Sequence, residues 1–250
     1  MTESQTAVRP ERRAELAAGL ARVRARIADA CAAAGRQRDA VTLVAVTKTY
    51  PASDVVALAA LGVTDVGENR DQEAAPKAEA VADAGAGAAP RWHFIGQLQR
   101  NKARSVVRYA DVVQSVDSVR LAAALDAAAG AVRDRPLDVL VQVSIDGDPA
   151  RGGALPGAAD PQRGLDPVAA AVAGADGLRL AGLMAVAPLG WEPDRAFARL
   201  AEVAAALRAD HPGATVLSAG MSGDLESAIG HGATHVRVGS ALLGMRPALR

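Results

Sequence analysis

The sequence predicts an α/β fold, a single (β/α)8 TIM-type barrel with an extra N-terminal helix. Three observations carry this. Eight short runs rich in Val, Ile or Leu recur along the chain. Helical patterns separate most of them. The runs are also apolar enough to be strands of a parallel sheet covered by helices. The alternative is an open doubly wound sheet, which more often carries a Gly-rich turn after its first strand. Here that strand leaves through Thr47-Lys48-Thr49-Tyr50-Pro51.

The elements follow in order. Residues 11–34 read as an Ala-rich amphipathic helix, with Leu16, Leu20, Val23 and Ile27 at helical spacing and Gly35 as a C-cap. Strands are expected at 41–47, 64–67, 92–95, 112–116, 137–145, 180–186, 215–219 and 235–238. Helices are expected at 53–61, 69–83, 99–109, 118–132, 165–175, 194–210 and 222–230, with a short one at 240–244. Ser53, Ser118, Asp194 and Ser222 stand where N-caps belong. Residues 146–164, rich in Gly, Pro, Ala and Asp, interrupt the rhythm. They predict a long mobile loop over the C-terminal face, where barrel active sites lie. Residues 1–10 are expected to be a disordered tail, and 1–250 a single domain.

Composition excludes several classes. The 250 residues carry 28 basic and 28 acidic groups. There is no basic excess to neutralise nucleic acid or dock on an anionic membrane. No apolar stretch reaches the length of a transmembrane helix, and the N-terminus shows no secretory signal. The single cysteine, Cys31, cannot form an internal disulfide, so a reducing, cytoplasmic compartment is expected. With two each of Trp, Tyr and Phe, the chain offers no obvious sticky face, and a monomer is expected. The histidines show no paired metal spacing, and no reading calls for a metal.

The basic residues are nearly all arginine. Only Lys48, Lys77 and Lys102 are lysines. An arginine neither deprotonates nor forms an imine, so each lysine invites a reason. Lys48 ends the apolar run VTLVAVTK. At a barrel mouth, desolvation would lower its pKa and free the amine as a nucleophile. The plain alternative is a lysine marking the exit of a strand into solvent. The last two strands end in Ser218-Ala219-Gly220-Met221-Ser222-Gly223-Asp224 and Arg237-Val238-Gly239-Ser240. Both are small turns opening at helix N-termini, good phosphate cradles at the position where barrels often bind phosphate. Arg237 lies within the last strand, so it needs either a carboxylate or a ligand atom as acceptor. Asn69 reads as a ligand contact or, more simply, as a helix cap. His93, in a strand body, reads as a structural histidine.

Several segments together identify a family. AVTKTYP around Lys48, GENRDQEA, WHFIGQLQRNKAR, GLMAVAP and LSAGMSGDLESAIGHGATHVRVGSALLG occur in this order. They resemble the pyridoxal phosphate homeostasis proteins, whose single barrel is similar to the alanine racemase N-terminal domain. The likeness spans about residues 10–246. It implies pyridoxal 5′-phosphate as cofactor and no established catalytic activity. It also implies a role in keeping the free cofactor low and supplying it to apoenzymes, which would be transient partners. By position it implies Lys48 as the Schiff-base lysine, with Met221, Ser222, Gly239 and Ser240 around the phosphate. Arg237 then faces the pyridine nitrogen, with Asn69 and Ser218 in the pocket. No catalytic and no metal residues are expected. Residues 148–153 match a variable stretch of the family, and the longer insert after them is assigned no role.

Three competing readings remain at this stage. A weak amino-acid racemase needs an opposite-face acid/base, and neither Tyr50 nor Tyr109 is an evident one. The tyrosine of alanine racemase comes from a separate C-terminal domain, which this chain is not expected to have. A phosphosugar aldolase would use a Lys48 imine without a chromophore. A scaffold-only interaction protein gives no reason to retain Lys48.

Overall fold

The computed structural model describes residues 8–85 and 89–244. Eight parallel strands close a barrel in sequence order: β1 (Thr42–Val46), β2 (Asp65–Glu68), β3 (Arg91–Phe94), β4 (Val112–Val116), β5 (Leu137–Gln142), β6 (Leu178–Met184), β7 (Val216–Ser218) and β8 (His235–Val238). Closure is the pairing of β8 with β1, in which Val44 lies opposite Arg237 and Ala45 opposite Val238. The helical layer comprises α1 (Pro10–Ala33), α2 (Ala52–Ala60), α3 (Asp71–Asp83), α4 (Ala103–Tyr109), α5 (Val119–Gly130), α6 (Leu165–Ala173), α7 (Pro193–Asp210), α8 (Leu225–Gly230) and α9 (Ser240–Leu243). The expected fold is therefore the observed one.

The main core lies between strands and helices. Leu16, Leu20, Val23 and Ile27 of α1 are buried there against Ala45, Val236 and Leu242. Each such side chain contributes about 1.5–3 kcal/mol on burial. The barrel interior mixes apolar and polar side chains. Val112, Leu140, Ala181 and Met184 pack together with Val216 against them. Buried polar groups share the interior, among them Asp65, His93, Gln114, Ser218 and Arg237.

α1 also fastens the strand ends at the barrel mouth. Arg12 pairs with Asp54 of α2 and donates to Leu243 O of α9. Arg26 holds Glu226 through two contacts and donates to Ser222 O. Gly19 approaches α9 so closely that a Cβ there would lie 2.2 Å from Leu242 O.

Several expectations need correction. Of the four expected N-caps only Ser118 occupies that position, and none makes a side-chain capping bond. Pro51, Glu192 and Asp224 stand at the other three. Gly35, one residue past the cap, has φ +65°. Arg36 N bonds to Cys31 O and Gly35 N to Ala32 O, which ends α1 in a Schellman turn. Residues 146–164 were expected to be a mobile loop, but they are knit by hydrogen bonds. Ser144 N bonds to Ala154 O, Leu155 N to Arg163 O, and Arg163 donates to three carbonyls of the same segment. The expected tail at 1–10 is shorter at its inner end. Val8 packs on the core and Pro10 opens α1, while residues 1–7 lie outside the described residues.

Candidate functional site at the barrel mouth

Lys48 follows β1 directly. Thr47 N still donates to Gly67 O, so the ladder runs to the residue before it. Ala45 packs in the helical layer, and strand alternation puts Lys48 on the side of Val44 and Val46, toward the barrel axis. Its side chain is exposed and its amine has no partner among the described residues. The desolvation argument from sequence is thus corrected: Lys48 is accessible rather than buried.

The backbone beneath Lys48 is held firmly. Thr47 O accepts from Tyr50 N at 3.0 Å and from Lys77 Nζ at 2.9 Å. Lys77, on α3, is 8% exposed and also donates to Glu68 Oε1 at 2.6 Å; Thr47 Oγ1 donates to the same oxygen at 2.7 Å. The second lysine is therefore half of a buried ion pair under the first. Thr49, next along, has φ +69°, the only positive φ at a non-glycine among the described residues. Tyr50 Oη donates to Gly244 O at 2.6 Å, joining this turn to the end of α9.

Asn69 is half-buried at the end of β2, and β1–β2 pairing sets it beside Lys48. The capping alternative does not hold. Arg70 is the N-cap of α3, and the Asn69 amide makes no hydrogen bond among the described residues. Ser222 and Ser240 are brought together, Ser240 Oγ donating to Ser222 Oγ at 3.3 Å and Ala241 N lying 3.4 Å from the same oxygen. These are long contacts, which leave both hydroxyls available. The sequence expected helix dipoles here, but α8 and α9 span only 6 and 4 residues. What remains is hydroxyls and turn amides. Gly220, at φ +87°, makes the bend before them; a Cβ there would lie 2.6 Å from that of Ala228. Met221 is 40% exposed at the rim, its N–H turned to Asp224 Oδ1.

Arg237 is buried, and no carboxylate among the described residues touches it. Nη1 donates to Ser218 O and Ser218 Oγ, both at 2.8 Å, and Nη2 to Ala185 O at 2.8 Å. That leaves Nε–H and one Nη2–H without a partner among the described residues. Burial pushes the guanidinium down to about 10, with Asp224 opposing the shift, so it stays a cation at neutral pH. Of the two acceptors the sequence offered, the barrel carboxylate is absent. A buried cation held only by neutral oxygens is suited to a ligand lone pair or anion.

Sequence reasoning did not find Gln114, Asp65, Glu68 or the role of Lys77. These act through partners on other strands, and a single-chain pattern shows none of those pairings.

The chain matches the family model described as alanine racemase, N-terminal domain, over residues 19–247. A pyridoxal phosphate homeostasis protein of Mycobacterium tuberculosis (strain ATCC 25618 / H37Rv) is 47% identical, with 95% of each chain covered. That of Escherichia coli (strain K12) is 37% identical over 93% of this chain and 97% of its own length. Among solved structures, PipY of Synechococcus elongatus PCC7942, a structure with PLP bound, is 34% identical with a TM-score of 0.74, over 92% of this chain and 100% of its own. An alanine racemase from Streptomyces coelicolor A3(2) shares the fold at 22% identity and a TM-score of 0.70, over 94% of this chain and 59% of its own. With the barrel, the lysine after β1 and the serine turns after β7 and β8 in place, the chain belongs to the pyridoxal phosphate homeostasis proteins, a family built on the alanine racemase N-terminal domain.

Proposed function

We propose that this chain binds pyridoxal 5′-phosphate, holds it covalently on Lys48, and serves cofactor homeostasis inside the cell by supplying apoenzymes, without strong catalysis of its own. The observation that carries the reading is Arg237, a buried cation with unused donors and no carboxylate partner. The residues present fit the group: a cation for the ring nitrogen, two hydroxyls for the phosphate, and an accessible amine at the mouth.

When bound, pyridoxal phosphate would supply an aldehyde, an electrophile for a lysine amine. Lys48 is the amine for that capture. Ser222 and Ser240, with the turn amides around Gly239, would hold the phosphate, with Met221 beside them at the rim. Asn69 offers its amide to a ligand oxygen. Ser218 acts through Arg237. The Arg237 cation would disfavour a proton on a ring nitrogen set against it, and so would weaken the electron sink that carbanion chemistry needs.

The tyrosines support a non-enzymatic role. Tyr50 Oη is committed to Gly244 O. Tyr109 lies in the helical layer, its hydroxyl 3.5 Å from Asp71. Burial, then the charges of Asp71 and Glu68, push Tyr109 far above the usual phenol range. A monomer is part of the reading; the exposed large apolar side chains among the described residues are Val132, Val186, Leu189 and Met221.

The test is an absorbance titration of wild type and Lys48→Ala with pyridoxal phosphate, followed by incubation of the loaded protein with an acceptor apoenzyme. The expected result is a visible band in wild type only, and activation of the acceptor at the expense of that band. Exchange of an amino-acid α-hydrogen with solvent at a substantial rate would favour the racemase reading instead.

A further inference from the structure

A chain of hydrogen bonds crosses the barrel interior from Arg237 to Asp65. Arg237 Nη1 donates to Ser218 Oγ at 2.8 Å, and Ser218 Oγ donates to Gln114 Oε1 at 2.7 Å. Gln114 Nε2 lies 2.7 Å from His93 Nδ1, and His93 Nε2 lies 2.8 Å from Asp65 Oδ1. The five residues come from β8, β7, β4, β3 and β2, and none is more than 4% exposed. Barrel interiors are usually filled by branched apolar side chains. A buried polar chain of this length is tolerable only when every member is satisfied.

The donors can be counted from one end. Arg237 has only N–H groups to offer, so Ser218 Oγ accepts from it and turns its own hydrogen to Gln114 Oε1. That fixes the Gln114 amide with its NH2 toward His93. His93 Nδ1 must then accept, so its proton is on Nε2 and points at Asp65. Burial works to raise the Asp65 carboxyl, but hydrogen bonds from His93 and Thr64 outweigh it and hold the group below the ordinary carboxylate range. The chain thus runs from a cation to an anion through three neutral groups, with one direction throughout.

We infer that Gln114, His93 and Asp65 are positioning residues for Arg237. They lock the Ser218 lone pair toward the guanidinium, and Asp65, 3.8 Å from Arg91, fixes the far end of the chain. The inference deepens the pyridoxal phosphate reading and rests on it: the relay sets how Arg237 presents its unused N–H groups to the ring nitrogen.

The experiment is a double-mutant cycle read by the affinity for pyridoxal phosphate and the absorption maximum of the complex. Its members are wild type, Gln114→Leu, Arg237→Gln and the pair. Asp65→Asn, which keeps the side-chain shape, is measured alongside. Circular dichroism checks that each variant is folded. Gln114→Leu and Asp65→Asn are each expected to weaken binding on the order of tenfold and to move the band in the direction that Arg237→Gln moves it. Gln114→Leu is expected to add nothing once Arg237 is gone. A purely structural Gln114 would act equally in both backgrounds, and that result, or no effect at all, overturns the proposal. A ligand-free arm guards against variants that fail to fold and against failure of the cofactor reading itself. Side-chain 15N NMR is expected to show His93 protonated on Nε2 and to shift in Arg237→Gln. If wild type binds no pyridoxal phosphate, the function proposed above falls while this arm still decides the relay. A His93 signal indifferent to Arg237→Gln overturns it.

Discussion

Thr49 is a β-branched residue held at φ +69°, immediately after Lys48. Such a conformation costs about 1–3 kcal/mol and persists only where neighbours impose it. Here the Thr47 carbonyl is held by Lys77 and Tyr50 on one side, and Tyr50 is tied to α9 on the other. Thr49→Gly is accordingly expected to be more stable than Thr49→Ala by about 1 kcal/mol, measured as the difference in urea midpoints; equal midpoints would show that the turn carries no such strain. At this scale much of the site was legible. Lys48 stood out because lysine is scarce, Arg237 because an arginine in a strand needs an acceptor, and Ser222 and Ser240 because small residues ended two adjacent strands. Gln114 gave no such signal. It is one polar residue in the run VVQSV, and its meaning comes from His93 and Ser218 on other strands. The burial inferred for Lys48 failed for a related reason. A strand pattern tells that the residue reaches the mouth, not how open the mouth is.

The elements that shape the mouth are α1, α3 and α9. α1 was visible as a helix from its apolar spacing, but its task was not. Arg12 and Arg26 reach the loops after β8 and β7, contacts separated by about two hundred residues of sequence. Gly19→Ala places a methyl group against Leu242 O. It is expected to push α9 away, displace Ser240 and weaken phosphate affinity several-fold, on the scale of an overpacked core. Titration with pyridoxal phosphate beside pyridoxal separates this from general damage: affinity for the unphosphorylated form should change much less. On α3, Lys77→Met leaves Glu68 buried without its cation. Glu68 Oε2 already has no partner among the described residues. Removing one member of a buried pair costs about 3–5 kcal/mol, so chemical denaturation should show a loss of that order, and a loss below 1 kcal/mol would mean that Glu68 is relieved in another way. The helix caps were misread because a serine near a helix start is a local cue, whereas these helix starts are set by docking on the barrel.

Across the whole molecule, barrel closure was readable from eight strand–helix units, but the polar part of its interior was not. His235 belongs to that part. Burial lowers it from 6.5 to about 4. The unfolded chain therefore takes up a proton between these values while the folded chain does not. Stability is complete above about pH 6.5 and declines as pH falls toward about 4. A loss on the order of 2 kcal/mol is expected between pH 7 and pH 5. His235→Gln should flatten the dependence of the urea midpoint over that range, whereas an unchanged slope would assign the loss to other groups. The same interior ties β8 to β2 through the Arg237 chain, so the fold and the proposed cofactor contact rest on one set of side chains.

The central claim is that Lys48 anchors the cofactor. It is tested most directly by treating the protein with pyridoxal phosphate, reducing with borohydride, and mapping the modified peptide by mass spectrometry. With only Lys48, Lys77 and Lys102 in the chain, the lysine sites are few and distinct. A stoichiometric pyridoxyl adduct on Lys48 is expected, with Lys77 protected by its buried pair with Glu68. An adduct shared evenly with Lys102, or none on Lys48, would contradict it.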